Sequence, residues 1–125
     1  MGINPLGLNW RRFIVCVDKA GELIGCGQIK PHLDGSRELA SIAVTPEHQR
    51  RGVGSALVAH LLNLASPPIY LICRARLGAY YARFGFRPGE TDRMPIYFRM
   101  VLRIVGLLKR CFSKIEGILV MEWRG

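Results

Sequence analysis

The stretch Gln49-Arg50-Arg51-Gly52-Val53-Gly54-Ser55 stands between an apolar run and a helical pattern. Residues 39–44 before it are mostly apolar and end at a Thr45-Pro46 break, and residues 53–64 after it repeat apolar side chains with helical spacing. This order predicts a strand, a tight loop and the start of a helix. A helix N-terminus leaves about four backbone N–H groups without intrahelical partners and carries a partial positive charge. Because the two glycines have no side chains to block these groups, the stretch predicts a loop that binds a phosphate or pyrophosphate.

The same stretch departs from two common phosphate-binding motifs. It lacks the Gly-Lys-Ser/Thr ending of nucleotide-triphosphate loops. A dinucleotide fingerprint would need a third glycine where Leu57 stands, and an acidic residue about 20 positions on, where the sequence reads Ile72-Cys73-Arg74. A phosphorylated cofactor of another class is therefore expected.

Three features of the sequence resemble the GNAT N-acetyltransferase superfamily. The order Gln/Arg-x-x-Gly-x-Gly after a strand that ends in Val-x-Pro resembles the coenzyme-A loop of that family. Residues 79–86, Ala-Tyr-Tyr-Ala-Arg-Phe-Gly-Phe, resemble its other signature, a short helix that carries a tyrosine and ends in Gly-Phe. Glu38 lies eleven residues before Gln49, where the histone-acetyltransferase branch keeps its general base. The resemblance covers about residues 13–88 and the final strand.

This resemblance implies a mixed α/β (α+β) fold, with a central, mostly antiparallel sheet and one parallel, splayed strand pair. It also implies an N-acetyltransferase that uses acetyl-CoA as cosubstrate, and a primary amine that attacks the thioester directly in a ternary complex. The whole chain, residues 1–125, is expected to be a single GNAT-like domain. Residues 4–10 run almost at once into the first hairpin, so most of the usual N-terminal strand and helices are expected to be lacking.

The resemblance also assigns roles to individual residues. Glu38 is the expected general base, although an exposed glutamate paired with Arg37 or a lysine is the alternative. Tyr81, five residues before Phe86, is expected beside the cofactor's sulfur, with a half-packed core tyrosine as the alternative. Arg74 stands where relatives often carry a cofactor-contacting asparagine. The remaining expected cofactor-binding residues are Ile42, Ala43 and Val44 on the strand, and Arg50, Arg51, Gly52, Val53, Gly54 and Ser55 in the loop.

The predicted secondary structure follows the apolar periodicity and the turn residues. Strands are predicted at residues 13–17, 22–29, 37–44, 69–73, from residue 86, and at 118–123, and helices at 52–64, 77–83 and 95–112. The first two strands are expected to form a hairpin whose turn uses Asp18 and Gly21, and Gly85 is expected in the left-handed conformation after the second helix. The loop helix should bury a face made of Val53, Leu57, Leu61 and Leu64. For the helix at 95–112 three roles stay open: core packing with a solvated basic edge, a substrate-covering or dimer contact, and a membrane-surface helix.

Composition limits the classes of function. The chain has 125 residues, which suits one domain, and its net charge is +9. Such a charge often indicates nucleic-acid binding, but the arginines are scattered and coenzyme A itself carries three phosphates. No apolar run is long enough for a membrane span. The four cysteines lack Cys-x-x-Cys spacing and three lie inside apolar runs, so buried free thiols and a cytoplasmic location are expected.

Other partners and functions remain open at this stage. The three histidines do not form a metal constellation, so no metal is expected, and His32 is a candidate for lining an acceptor site. The acceptor amine is not identified by the sequence, and a homodimer is compatible with the apolar helix at 95–112. One competing hypothesis is a catalytically silent acyl-CoA-binding sensor or interaction module of the same fold. A basic nucleic-acid-associated protein is the other.

Overall fold

The computed structural model describes residues 12–112, 114 and 116–125, so the expectation for residues 4–10 lies outside the described part of the chain. The strands are β1 (Phe13–Val17), β2 (Leu23–Pro31), β3 (Arg37–Val44), β4 (Ile69–Arg74), β5 (Arg87–Pro88) and β6 (Ile118–Trp123). The helices are α1 (Val53–Leu64), α2 (Gly78–Ala82) and α3 (Ile96–Cys111), and short 3₁₀ turns form at Pro46–His48 and Ala75–Leu77.

The six strands are ordered β1-β2-β3-β4-β6-β5. β1 pairs with β2, and β6 pairs with both β4 and β5, in antiparallel fashion. β3 and β4 are parallel, with Glu38 opposite Tyr70. The predicted fold class, an α+β protein with a mostly antiparallel sheet and one parallel pair, is therefore confirmed.

The described part of the chain divides into two compact units, of which the first comprises residues 12–30 and Leu39–Ala65. Its β1–β2 hairpin turns through the predicted Asp and Gly residues. The Asp18 carboxylate accepts hydrogen bonds from the backbone N–H groups of Ala20 (2.9 Å) and Glu22 (3.0 Å). Gly21 has a φ of 82°, the left-handed conformation that glycine adopts without steric cost. The turn prediction is thus correct in detail.

Helix α1 buries Leu57, Val58, Leu61 and Leu62. The predicted face is correct for Leu57 and Leu61 but wrong for Leu64, which is 65% exposed at the last turn. A helix packed against a sheet buries a stripe wider than one residue per turn, so the neighbouring positions Val58 and Leu62 enter the core instead.

The second unit comprises Pro31–Glu38 and Ser66–Gly125. Its core cluster contains Tyr70, Met94, Phe98 and Val120. Helix α3 begins after Pro95 and contributes the fully buried Phe98 to this cluster. Large apolar side chains further along the helix are exposed, namely Met100, Ile104, Leu107 and Leu108. Of the described part of α3, only the first turns pack into the core.

No helix among the described residues combines the length and the apolar content that crossing a membrane requires.

Candidate functional site

The entry to the glycine loop is held by hydrogen bonds to the end of β3. The Thr45 hydroxyl and His48 Nδ1 lie 2.9 Å apart, and the His48 backbone N–H donates to the Thr45 carbonyl at 2.9 Å. The Gln49 side-chain amide donates to the Val44 carbonyl at 3.1 Å. These contacts fix the chain direction at the point where the loop leaves the strand.

Two residues of the loop adopt the left-handed conformation. Arg50 has a φ of 65° and Gly52 a φ of 84°. Gly52 is the N-cap of α1 and offers no side-chain cap, and the first turn of the helix has no acidic residue. Left-handed residues beside a helix start build the concave arrangements of backbone N–H groups that bind anions. A Cβ atom added at Gly52 would meet no atom within 4 Å, so the space above the loop is open for a ligand.

Strand β3 carries a backbone irregularity just before the expected pantetheine-binding segment. Ser41 has a φ of 59°, which is rare for a residue other than glycine. Its hydroxyl accepts a hydrogen bond of 3.0 Å from the side-chain amide of the fully buried Gln28. Left-handed residues within strands occur at bulges, which locally interrupt the hydrogen-bond ladder. This feature was not predicted, because a serine in a strand gives no sequence signal for a left-handed conformation.

Glu38 is buried and hydrogen-bonded. The residue is 9% exposed, and its Oε1 lies 2.7 Å from His32 Nε2. The alternative of an exposed glutamate paired with Arg37 is wrong, since Arg37 donates instead to the carbonyl oxygen of Ser66. The pairing with His32 places a carboxyl group and an imidazole side by side in the second unit.

The surroundings of His32 come from the turn after β2 and from the start of α3. The imidazole stacks on Tyr97 with ring centroids 3.7 Å apart and meets Phe98 edge-on at 5.7 Å. The backbone N–H of Tyr97 donates to Asp34 Oδ2 at 3.0 Å. The hydrogen bond from Ser36 lowers the pKa of Asp34, while burial and then the charge of Glu38 raise the pKa of Tyr97.

His32 was predicted only as a candidate for lining an acceptor site, and Tyr97 was not predicted to contribute to the site. The sequence does contain a signal for the proximity of His32 to Glu38. His32 and Glu38 flank the Asp34-Gly35 turn, and a tight hairpin brings side chains at its two ends close together. No comparable signal marks Tyr97, since it reaches His32 through tertiary packing.

Tyr81 lies on α2 among aromatic rings. It meets Tyr80 edge-on at 5.0 Å and Phe86 at 6.1 Å. Burial, followed by Tyr80 and Cys73, raises the pKa of Tyr81. The phenol therefore keeps its proton at neutral pH, as a proton donor requires. The turn after α2 closes at Gly85, whose φ of 98° agrees with the predicted left-handed glycine.

Arg74 ends β4 and points its guanidinium at an acidic neighbour. Its Nε lies 3.6 Å from Glu116 Oε2, and Arg76 Nε lies 3.5 Å from the other oxygen of the same carboxylate. All three side chains are about half exposed or more, so these ion pairs are weak. A cofactor contact by Arg74 stays a prediction.

Within the described ranges, no group of three or more His, Cys, Asp or Glu side chains is arranged to hold a metal ion. The four cysteines, Cys16, Cys26, Cys73 and Cys111, are all free thiols. The prediction that they are buried is correct for Cys73 but wrong for Cys111, which is exposed on α3, and Cys16 and Cys26 are only partly buried.

A match to a family model shows to which protein family the chain belongs. The family model described as an acetyltransferase (GNAT) domain matches residues 9–88, more than half of the chain. The chain belongs to the GNAT acetyltransferase family. The resemblance inferred from the glycine loop, the tyrosine helix and Glu38 is thereby confirmed.

Relatives of this GNAT chain are longer proteins. The amino-acid acetyltransferase of Pseudomonas syringae pv. syringae is 31% identical over 83 residues, which cover 63% of this chain and 19% of the relative. The chain therefore spans about a fifth of that relative's length.

Solved structures of other acetyltransferases share the fold. The N-acetylglutamate synthase from Neisseria gonorrhoeae, complexed with coenzyme A and N-acetyl-glutamate, matches with a TM-score of 0.65 and 25% identity. That match covers 87% of this chain and 25% of the synthase chain. The ribosomal-protein-S18-alanine N-acetyltransferase from Escherichia coli matches with a TM-score of 0.61 and 21% identity, over 92% of this chain and 70% of its own. At that identity the second match shows the fold alone.

Proposed function

We propose that this GNAT chain is an acetyl-CoA-dependent N-acetyltransferase that transfers the acetyl group to a primary amine by direct attack in a ternary complex. The observation that carries the proposal is the glycine loop, in which left-handed Arg50 and Gly52 precede an α1 N-terminus without a side-chain cap. Such a loop suits the pyrophosphate of coenzyme A. The coenzyme A in the Neisseria gonorrhoeae synthase complex supports the same cofactor here.

The cofactor would be held mainly by backbone groups. In the proposed complex, N–H groups from Arg50 to Ser55 bind the pyrophosphate, and the guanidinium groups of exposed Arg50 and Arg51 add charge at the phosphates. Backbone groups of Ile42, Ala43 and Val44 hydrogen-bond the pantetheine arm and the thioester oxygen. The irregularity at Ser41 supports this assignment, because an interrupted ladder leaves backbone groups available to a ligand.

Glu38 is the proposed general base. A protonated primary amine has a pKa of about 10 and cannot attack, so a proton must be removed at neutral pH. The buried Glu38 carboxylate can accept that proton directly or through one water molecule. The amine nitrogen then forms a bond to the thioester carbon as the carbon–sulfur bond breaks. On becoming an amide the nitrogen loses a second proton, which replaces, through solvent, the proton that the departing sulfur takes.

Tyr81 is the proposed proton donor for the departing thiolate. Its phenol is neutral at physiological pH because burial raises its pKa. It can therefore donate a hydrogen bond or a proton to the sulfur, which leaves as the coenzyme-A thiol.

The names of the relatives suggest where to look for the acceptor. They are an amino-acid acetyltransferase and an N-acetylglutamate synthase. We infer that the α-amine of a free amino acid is the first acceptor class to test, beginning with L-glutamate. An acidic acceptor also suits a chain with a net charge of +9.

Isothermal titration with acetyl-CoA tests the loop assignment. We expect saturable one-site binding by the wild type and loss of binding by Gly54→Glu, which adds bulk and negative charge at the pyrophosphate. Gly106→Glu is the matched control, because Gly106 lies on α3 with no atom within 4 Å of an added Cβ. Unchanged binding by Gly54→Glu, or no binding by the wild type, would contradict the assignment. Binding without acetyl transfer to any amine would favour the silent acyl-CoA-binding module.

Two further expectations remain predictions. A cytoplasmic location fits the four free thiols, which suit a reducing compartment. A homodimer would use the exposed apolar side chains of α3, such as Met100 and Ile104. Helix α3 carries basic side chains and no acidic ones. A symmetric pairing of two copies along this helix would therefore bring like charges close together, which is unfavourable.

A further inference from the structure

We propose that His32 is a positioning residue for Glu38: it holds Oε1 of the carboxylate so that Oε2 accepts the proton of the attacking amine. This inference deepens the proposed acetyl transfer and rests on it. It adds an imidazole to the proton-transfer site and gives the start of α3 a role in supporting that site.

The contact between the two side chains is short and shielded from solvent. His32 Nε2 and Glu38 Oε1 are 2.7 Å apart, and the side chains are 8% and 11% exposed. An exposed ion pair of this kind would fix little, because water and salt compete with it. A buried pair differs, since removal of one partner leaves the other without its hydrogen bond.

The chemistry of the pair determines which atom donates. An ionised carboxylate can only accept hydrogen bonds, so in the proposed arrangement His32 Nε2 donates the hydrogen bond and Glu38 Oε1 accepts it. The hydrogen bond also selects the Nε2–H form of a neutral imidazole. With Oε1 occupied in this way, the proton of the substrate is accepted at Oε2.

The imidazole is itself held in place from two sides. Tyr97 stacks on it with an interplanar angle of 18°, and Phe98 stands nearly perpendicular at 86°. Asp34 fixes Tyr97 by accepting its backbone N–H at 3.0 Å. A ring packed between these groups cannot rotate freely, which meets the requirement that supporting residues be locked by their own packing.

The neighbouring titratable groups are compatible with this role. Asp34 lies on the same turn, Tyr97 on α3, and Tyr70 on β4 opposite Glu38. Burial raises the pKa of Tyr70 and of Tyr97, so both phenols stay neutral at physiological pH. Asp34 keeps its negative charge, because the Ser36 hydrogen bond lowers its pKa.

A double-mutant cycle on kcat tests the inference. His32→Leu should lower kcat about 10- to 100-fold, as a misplaced base does, with little change in the KM for acetyl-CoA. His32→Gln should retain more activity, because its side-chain amide can still donate to Oε1. In a Glu38→Gln background, His32→Leu should cost almost nothing further, since the carboxylate it positions is gone. His60→Leu, on the exposed side of α1, is the control and should leave kcat unchanged.

The outcomes separate the two proposals. If the wild type acetylates no amine, the proposed function fails, and the role of His32 fails with it. If the wild type is active and the losses from His32→Leu and Glu38→Gln are additive in free energy, only the role of His32 is overturned.

A second readout does not depend on activity or on the folding of His32→Leu. Nitrogen-15 NMR of the wild type at neutral pH should show His32 with its proton on Nε2, and this preference should change in Glu38→Leu, which removes the acceptor. A proton on Nδ1 alone in the wild type, or a spectrum of His32 unaffected by Glu38→Leu, would overturn the inference.

Discussion

At the scale of single residues, Glu38 and Tyr81 occupy surroundings that suit opposite proton-transfer roles. Glu38 is paired with an imidazole at 2.7 Å, whereas Tyr81 lies against aromatic rings. Burial raises the pKa of Tyr81 and keeps its proton in place. Amine acetylation needs a base that removes a proton from the amine and an acid that protonates the departing sulfur.

Replacing Glu38 should change the pH dependence of the reaction. We expect Glu38→Gln to lower kcat/KM about 100-fold or more near neutral pH. The loss should shrink at higher pH, because the fraction of free amine rises toward the amine pKa of about 10. Initial rates between about pH 6 and pH 9.5 measure this profile. An equal loss at every pH would indicate a structural role instead.

Replacing Tyr81 should separate turnover from binding. Tyr81→Phe removes the hydroxyl but keeps the ring, so we expect kcat to fall by about tenfold or more with an unchanged dissociation constant for acetyl-CoA. Tyr80→Phe, on the same helix, is the matched control and should retain the wild-type kcat. Equal turnover of Tyr81→Phe and the wild type would remove Tyr81 from the mechanism.

The positions of single functional residues can be predicted from the sequence, but their side-chain contacts cannot. The position of Glu38 follows from its spacing to Gln49, and that of Tyr81 from its spacing to Phe86. The pairing of His32 with Glu38 and the stacking of Tyr97 do not follow from spacing. Tyr97 lies far along the chain from His32, and only the packing of α3 brings the two rings together.

At the scale of elements, the glycine loop is the feature that the sequence predicts best. Glycine spacing after an apolar run indicates a strand, a loop and a helix. As expected, β3 precedes the loop and α1 follows it. The left-handed conformation of Arg50 was not predicted, because arginine rarely adopts it. The same holds for Ser41, where tertiary contacts override local preference.

A pair of matched substitutions tests the role of the loop. Gly52 and Gly21 share nearly the same φ, 84° and 82°, and an added Cβ meets no atom within 4 Å at either position. Gly52→Asp and Gly21→Asp should therefore lower stability by similar amounts, about 1 kcal/mol. Only Gly52→Asp should weaken acetyl-CoA binding, as titration calorimetry would measure. Equal affinities of the two variants would contradict the assignment of the loop.

At the scale of the whole molecule, strand positions were predicted more accurately than helix packing. Two strands begin and end where their β-branched runs meet turn residues, at Phe13–Val17 and Ile118–Trp123. Helix α3 was correctly predicted as a helix, but its amphipathic sequence left three roles open. Which of its side chains are buried depends on the shape of the core around Phe98, which periodicity does not encode.

The folded protein should lose stability in alkaline solution. Burial raises the pKa of Cys73, Tyr70, Tyr81 and Tyr97, so the folded state holds these protons more tightly than the unfolded state. The contribution of these four groups to the free energy of unfolding should thus be constant below their unfolded pKa values, about 8.5 to 10, and be lost as pH rises through the folded values. Urea unfolding at increasing pH measures this, and Tyr97→Phe should show a shallower fall. A stability unchanged up to about pH 10.5 would contradict the expectation.

An assay of acetyl transfer is the most direct test of the proposed N-acetyltransferase activity and of the role of Glu38. The wild type and Glu38→Gln would be incubated with acetyl-CoA and a panel of primary amines that begins with L-glutamate, and the products would be identified by mass spectrometry. We expect an N-acetylated product and equal amounts of coenzyme-A thiol with the wild type, and far less of both with Glu38→Gln. No acetylated amine from the wild type, or equal product from both proteins, would contradict this expectation.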